Sequence, residues 1–236
     1  DLMKTVTLII PCFNEYESLS LLIKELEKVD SGIEFLIVDN GSKDNTKNFL
    51  KNIENKFKNI STFYIEKNEG YGHGVFTALS TLQNSEFIGW IHGDLQFEFS
   101  ELNNVYKDLK SYKFTDKKIF YKGVRYGRSR LDSIFSYFMA KSASIILGTK
   151  MLEINAQPTI FSKDLLKSLD NPPKDFSFDT YVYWKAKQLD YQFIRKPFLF
   201  PPRQYGESNW NFGLKSRILF SYSLLKCFIK LRISKF

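Results

Sequence analysis

Residues 89–98 read GWIHGDLQFE, and an apolar run enters them from Glu86. The run stops at Gly93-Asp94, so a buried strand is expected to end there. Asp94 sits at the break, with the amide of Gln96 two residues on and His92 two residues before. A tight turn would aim the oxygens of Asp94 and Gln96 at one hard cation, since Mg2+ and Mn2+ prefer oxygen ligands and phosphate. His92 stands where a second carboxylate would complete an obvious clamp. It either ligates metal or hydrogen-bonds backbone or phosphate.

Working outward, strand and helix signals alternate through the first half. TVTLIIP is a β-branched strand, and SLSLLIKELEKV is a helix with Leu19, Leu22, Ile23 and Leu26 on one stripe and Ser18 as expected N-cap. IEFLIVD is a second strand, GSKDNT a turn and KNFLKNIENKF a helix. ISTFYIE is a third strand, NEGYGHG a glycine-rich loop and VFTALSTLQ a helix leading to the fourth strand, EFIGWIH. Such alternation predicts an α/β fold, a mostly parallel central sheet with helices on both faces. Further on, KKIFYKGVRYGRSR predicts a strand entering a basic loop, LDSIFSYFMAKSASIIL a helix and EINAQPTIFS an extended segment. FDTYVYWKAKQL predicts a helix, YQFIRKPFLF a strand and PPRQYGESNWNFG a polar loop. The first 211 residues read as one catalytic-sized domain and residues 212–236 as a basic amphipathic helix.

The bulk numbers set limits. A chain of 236 residues, 43% apolar and 17% aromatic, with 23 Phe and 13 Tyr, can bury a sizeable core. Its net charge of +8 suits nucleic acid, an anionic membrane or a phosphorylated substrate. Cys12 and Cys227 have no metal-type spacing, which points to a reducing cytosol. The opening residues read as a strand rather than a signal peptide, and no run reaches the roughly 18 uncharged apolar residues of a spanning helix.

Ligands on such sheets bind beyond the carboxyl ends of the strands. Those ends carry Glu15, Asp39, Asp44, Asp94 and Gln96. Asp39 ends an apolar run and needs a donor, either a nucleobase N–H or the N–H of the following turn. A dinucleotide fingerprint would place glycines after the first strand, but PCFNE has none.

Together these loops resemble the family-two nucleotide-sugar glycosyltransferases, which have the Rossmann-like A-type glycosyltransferase fold. LIIPCFNE is similar to the opening P-x-Y-N-E, LIVDNGSKDNT to V-D-D-G-S-x-D-x-T, NEGYGHGVFTAL to N-x-G-x-G-x-A, and HGDLQ to D-A-D-L-Q. KGVRYGR resembles the G-S-R-Y of dolichyl-phosphate mannose synthases and related polyprenyl-phosphate enzymes, and RQYGESNW their R-x-x-G-x-S-K. The resemblance implies an inverting transferase with Mg2+ or Mn2+. Pro11, Phe13, Glu15, Asp39, Gly70 and Gly72 would hold the nucleotide, and Asp94, Gln96 and His92 the metal. Four departures stand out: Asn40 replaces the second aspartate of V-D-D, His92 the first of D-A-D, Thr159 an arginine and Asn209 a lysine. An imidazole in the shell removes one negative charge, so metal affinity should fall and Mn2+ gain over Mg2+. His73, in the glycine-rich stretch, is a loop or phosphate contact.

The acceptor reading rests on two parts. Arg125, Arg128, Arg130 and Arg203 form basic loops that the resemblance turns toward the metal, with Ser208 beside them; guanidinium forks suit phosphate. Asp179 opens a helix where inverting relatives carry a base, or is only a helix-end acid. Phosphate acceptors need no base; hydroxyl acceptors do. In the tail, Ile218, Tyr222, Leu225 and Ile229 share a stripe flanked by Lys215, Lys226 and Lys230. That suits an interfacial helix, or packing on the core or a partner subunit. The expectation is a peripheral enzyme on the cytoplasmic membrane face, in cell-envelope polysaccharide synthesis. It would transfer sugar to polyprenyl phosphate, with no nucleic-acid partner. The alternatives are transfer to a surface-glycan hydroxyl with Asp179 as base, and a nucleotide-sugar-binding module without catalysis.

Overall fold

Val6–Cys12 (β1) is buried along almost its whole length because it lies between two parallel neighbours, Ile33–Asn40 (β2) and Phe87–Trp90 (β4). A strand covered on both faces needs a continuous apolar run, and VTLIIPC supplies one. The computed structural model describes residues 6–29, 32–111, 118–200 and 213–233, with side chains from 221 onward in the last segment. Arg203, Ser208, Asn209 and the boundary at 211 lie outside the described residues, and Lys215 and Ile218 fall on the part of the last segment described without side chains.

Ile60–Ile65 (β3), Ile119–Tyr126 (β5), Thr159–Ser162 (β6) and Gln192–Leu199 (β7) complete a seven-stranded sheet of order β3-β2-β1-β4-β6-β5-β7. Short β6 runs antiparallel to both β4 and β5; the other pairings are parallel. Helices Tyr16–Leu26 (α1), Thr46–Ile53 (α2), Tyr71–Thr81 (α3), Leu102–Ser111 (α4), Arg130–Leu147 (α5), Phe178–Gln188 (α6) and Gly213–Ile233 (α7) surround the sheet. One core cluster, with Leu19, Leu22 and Leu102, fills one face; the other, with Val75, Trp90, Phe178 and Phe228, fills the opposite face.

Several local expectations change. Ser18 is not the N-cap of α1. Glu15 is, and its carbonyl accepts from Ser18 N and Leu19 N while Ser18 lies inside the first turn. The glycine-rich stretch is a loop only up to Gly70, the N-cap of α3, so Gly72 and Gly74 are already helical. Of EINAQPTIFS only Thr159–Ser162 pairs in the sheet. Helix α4 lies in a stretch the motif reading left unassigned, although Leu102, Val105 and Leu109 make a buried stripe.

Candidate functional site

The chain leaves β1 toward β2 and β3 on one side and returns to β4 on the other. Their carboxyl ends therefore bound a crevice where the strand order reverses, the usual ligand position on such sheets. Pro11, Phe13 and Glu15 line one wall, each partly exposed, and His92, Asp94 and Gln96 the other, also partly exposed.

The β1 and β2 loops are stitched together by short polar side chains. Ser42 Oγ accepts from Asn14 N (2.9 Å), Asn14 Oδ1 from Lys43 N (2.8 Å) and Thr46 Oγ1 from Glu15 N (3.0 Å). Asp44 accepts from both Tyr16 N (3.2 Å) and Thr46 N (3.0 Å). Burial pushes its carboxyl up, but the Thr46 hydroxyl, with these backbone bonds, outweighs it and holds the acid below its ordinary range. Asp44 thus caps the two loops instead of presenting a free acid to the crevice. Asp39, 1% exposed, accepts at Oδ1 from Ser42 N (3.0 Å), so the turn-capping alternative holds for that oxygen. The aspartate-to-asparagine departure has a physical reason: Asn40 Nδ2 donates to Gly70 O (3.1 Å), which a carboxylate could not do.

Gly70 and Gly72, expected at the nucleotide, have packing assignments. A Cβ on Gly70, whose φ is +120°, would collide with Lys174 O. One on Gly72 would collide with Pro173 O, and Gly70 N already donates to Asn68 Oδ1 (2.8 Å). Together they allow α3 to close on the segment that leads into α6. His73 belongs to the same seam, its N–H donating to Lys174 O (3.1 Å).

At the end of β4, Asp94 Oδ1 accepts from Gln96 N (3.3 Å) around Leu95, whose φ is +57°. A leucine in the left-handed region is strained, and such strain marks functional turns. Beneath this turn is a buried polar network. Tyr71 Oη donates to Asp179 Oδ1 (3.2 Å) and lies 3.1 Å from His92 Nε2. A phenol has one proton. With Asp179 ionised, that proton goes to the carboxylate, so His92 must donate from Nε2 and keep Nδ1 as its acceptor. The tyrosine also stacks on Phe176 at 4.8 Å.

Asp179 is only 5% exposed. Burial raises its pKa, opposed first by Lys122, then by His92 and Tyr71. Lys122 itself is fully buried on β5, its Nζ donating to Thr159 Oγ1 (2.6 Å). Burial pulls it down to about 7 while Asp179 pulls it back up. Gln157, 2% exposed, accepts from His92 N (2.5 Å), and its Nε2 has no partner among the described residues. Lys122, Tyr71 and Gln157 are additions to the expected set. The one sequence signal for Lys122 was a lysine inside an apolar strand.

The expected acceptor arginines are less free than anticipated. Arg125 Nε is 2.8 Å from Glu153 Oε2, and the side chain is 11% exposed. Arg128 donates to Ser136 Oγ (2.9 Å), and burial, then Arg125, lowers its pKa. Arg130, the first residue of α5, is exposed.

Among the described residues no three His, Cys, Asp or Glu side chains gather as a metal cage. The donors present, one carboxylate with an amide and an imidazole beside it, fit a hard cation that takes most of its ligands from a diphosphate and water.

Comparison with known proteins agrees with this architecture. An uncharacterized protein of Methanocaldococcus jannaschii is 36% identical over 107 residues, 43% of this chain and 45% of that protein. The match thus spans less than half of that relative's length. A mannosyltransferase of Pyrobaculum calidifontis, solved with GDP-Man and Mn2+, superposes with a TM-score of 0.63 at 16% identity over 99% of this chain and 75% of that one. Glucosyl-3-phosphoglycerate synthase of Mycobacterium tuberculosis, solved with Mn2+, UDP-glucose and phosphoglyceric acid, gives 0.72 at 14% identity over 98% and 80%. At these identities the likeness is one of fold. The sequence model for glycosyl transferase family 2 matches residues 7–155, from the first strand through Glu153 and beyond. More than half of the chain is covered, and the chain belongs to glycosyl transferase family 2.

Proposed function

We propose that this chain transfers a sugar, with inversion, from a nucleoside-diphosphate sugar to a polyprenyl phosphate, using Mg2+ or Mn2+. The observation that carries the reading is the strained Asp94-Leu95-Gln96 turn at the strand-order reversal, backed by the His92–Tyr71–Asp179 network. Two proteins of like fold were solved with Mn2+ and a nucleotide sugar, GDP-Man in one and UDP-glucose in the other, which supports a donor of that class.

Asp39 accepts from the nucleobase through its second oxygen, and Pro11, Phe13 and Glu15 flank base and ribose. Asp94 holds the cation, with Gln96 and His92 beside it. When bound, the cation neutralises charge growing on the diphosphate leaving group. Tyr71 fixes the His92 ring so that Nδ1 is its acceptor. Gln157 Nε2 supplies a buried donor next to His92 for a phosphate or sugar oxygen.

A phosphate acceptor favours this scheme because it attacks without a base. The hydroxyl-acceptor reading needs Asp179 to touch the acceptor, yet that carboxylate already accepts from Tyr71 and is the counter-charge of buried Lys122. Arg125, Arg128, Arg130, Arg203 and Ser208 are the proposed acceptor contacts. Arg125 takes part with Nε held by Glu153, leaving its terminal nitrogens for phosphate.

The test is direct. Donor sugars and Mn2+ are incubated with polyprenyl phosphate in vesicles and, separately, with soluble glycans. Transfer to the lipid phosphate is expected. Transfer only to glycans, lost in Asp179→Asn, would establish the hydroxyl reading instead. Absence of both transfer and metal-dependent donor turnover would leave a nucleotide-sugar-binding module.

A further inference from the structure

Helix α5 is apolar on two opposite sides. Ala140, Ala143 and Leu147 pack into the core. At 100° per residue, Leu131, Ile134, Phe138 and Ile145 fall on the reverse side, and they are 52–73% exposed. Nothing among the described residues covers them. An outward helix stripe of this kind is ordinarily polar.

Helix α7 repeats the pattern. Leu224, Phe228 and Leu231 enter the same core cluster as the inner stripe of α5. Tyr222, Ile229 and Ile233 point away from it, 51–67% exposed. The two helices therefore lie on one side of the protein with their second apolar stripes outward. The charges beside those stripes have one sign. Arg130, Lys141, Lys226 and Lys230 are exposed. The one acid on either helix is Asp132, which sits in the first turn of α5 and is bound by Ser129 Oγ (2.7 Å).

We infer that the outer faces of α5 and α7 together form a docking surface for an anionic lipid bilayer. Apolar side chains entering the acyl boundary, with cations at headgroup level, are what an interfacial surface requires. A second copy of the chain is a poorer occupant, because self-pairing would bring Lys141 and Arg130 against like charges. The surface also begins directly after the Arg125–Arg130 loop, so a lipid-borne phosphate would present its head where the proposed acceptor contacts lie. This last point rests on the polyprenyl-phosphate reading; the apolar and charge arguments do not.

The experiment is co-flotation of the full chain with vesicles of phosphatidylcholine, with and without phosphatidylglycerol. Flotation with the anionic vesicles, weakened by salt, is expected. Ile134→Asp combined with Phe138→Asp should weaken binding about a hundredfold, roughly tenfold per side chain. Lys141→Ala should weaken it about fivefold. All three positions are exposed, so the melting temperature and nucleoside-diphosphate binding serve as controls for folding. Failure of the wild type to float, or equal flotation of the double variant, overturns the inference. So does a wild-type dimer that the double variant dissociates with no vesicle binding. Transfer separates this inference from the acceptor reading. If the wild type floats but does not glycosylate polyprenyl phosphate, the docking surface stands and the acceptor falls. If the double variant no longer floats yet still glycosylates a short, water-soluble isoprenyl phosphate, both stand.

Discussion

The two walls of the crevice are built by different means. On the β1–β2 side, short side chains at the surface cap backbone N–H groups, mostly of the facing loop 28 to 31 residues away, and Asn14, Ser42, Asp44 and Thr46 do nearly all of it. On the β4–β6–β5 side, long side chains from distant parts of the sequence meet in the interior: Tyr71, His92, Lys122, Gln157 and Asp179. The first wall is shaped by turn chemistry and carries little buried charge. The second stores charge where water cannot screen it, so its residues respond to one another and to pH.

The contrast can be broken most severely at Asp94. Asp94→Ala should lower metal-dependent donor turnover by about 10²–10³-fold, the scale for losing one group that stabilises developing charge. Its melting temperature should stay near wild type. Steady-state turnover with Mn2+ checks this, and undiminished turnover would remove Asp94 from the metal.

Next in size is a pH effect confined to the charged wall. Lys122 is held at about 7, below its ordinary 10.5, so between these values the unfolded chain binds the extra proton. Stability attributable to this lysine therefore rises with pH across that window, and its penalty is fully present below pH 7. Urea unfolding at neutral pH and near pH 9.5 should show a rise in wild type that Lys122→Met lacks, a difference of about 2–3 kcal/mol. Equal slopes would mean that the amine is solvated.

The third effect is on the capped wall. Asp39→Ala should weaken nucleoside-diphosphate binding by about 2 kcal/mol, the scale for a hydrogen bond to a charged group. Calorimetry giving equal affinities would confine Asp39 to its bond with Ser42. The smallest effect sharpens the comparison. Asp44→Ala should cost ~1 kcal/mol of stability, as for a lost helix cap. Nucleotide affinity per folded molecule should stay unchanged, because both carboxylate oxygens are taken up by the loops themselves, at Tyr16 and Thr46.

The strand ends of both walls were readable in the sequence and the links between distant segments were not, for the same physical reason. Strand ends such as Asp39 and Asp94 announce themselves by a break in apolar periodicity, which is local. So do α1, α3 and α6, apart from end effects at Ser18 and Gly72, where the competition is over a single turn. Lys122 and Thr159 are 37 residues apart, and Tyr71 and Asp179 are 108 apart. No spacing rule connects them; the pairing of β6 with β5 joins the first two and the close approach of α3 to the start of α6 the second. Helix α4 was legible in its stripe of Leu102, Val105 and Leu109, but it follows the site motif so closely that the motif masked it. The arginines were readable as cations, while the Glu153 that engages Arg125 comes from a different segment.

The seam at Gly70 and Gly72 has a kinematic consequence. Two helix starts, α3 carrying Tyr71 and α6 carrying Asp179, meet where Gly70 and Gly72 sit directly on the backbone carbonyls of Lys174 and Pro173. Nothing at that seam can slide by a rotamer change; the two ends translate as one piece or lose their packing altogether. Any change in the shape of the crevice would therefore have to be borne by segments other than this pair. The hydrogen bond from Tyr71 to Asp179, anchored at both ends on that seam, is a fixed strut in the frame of the crevice.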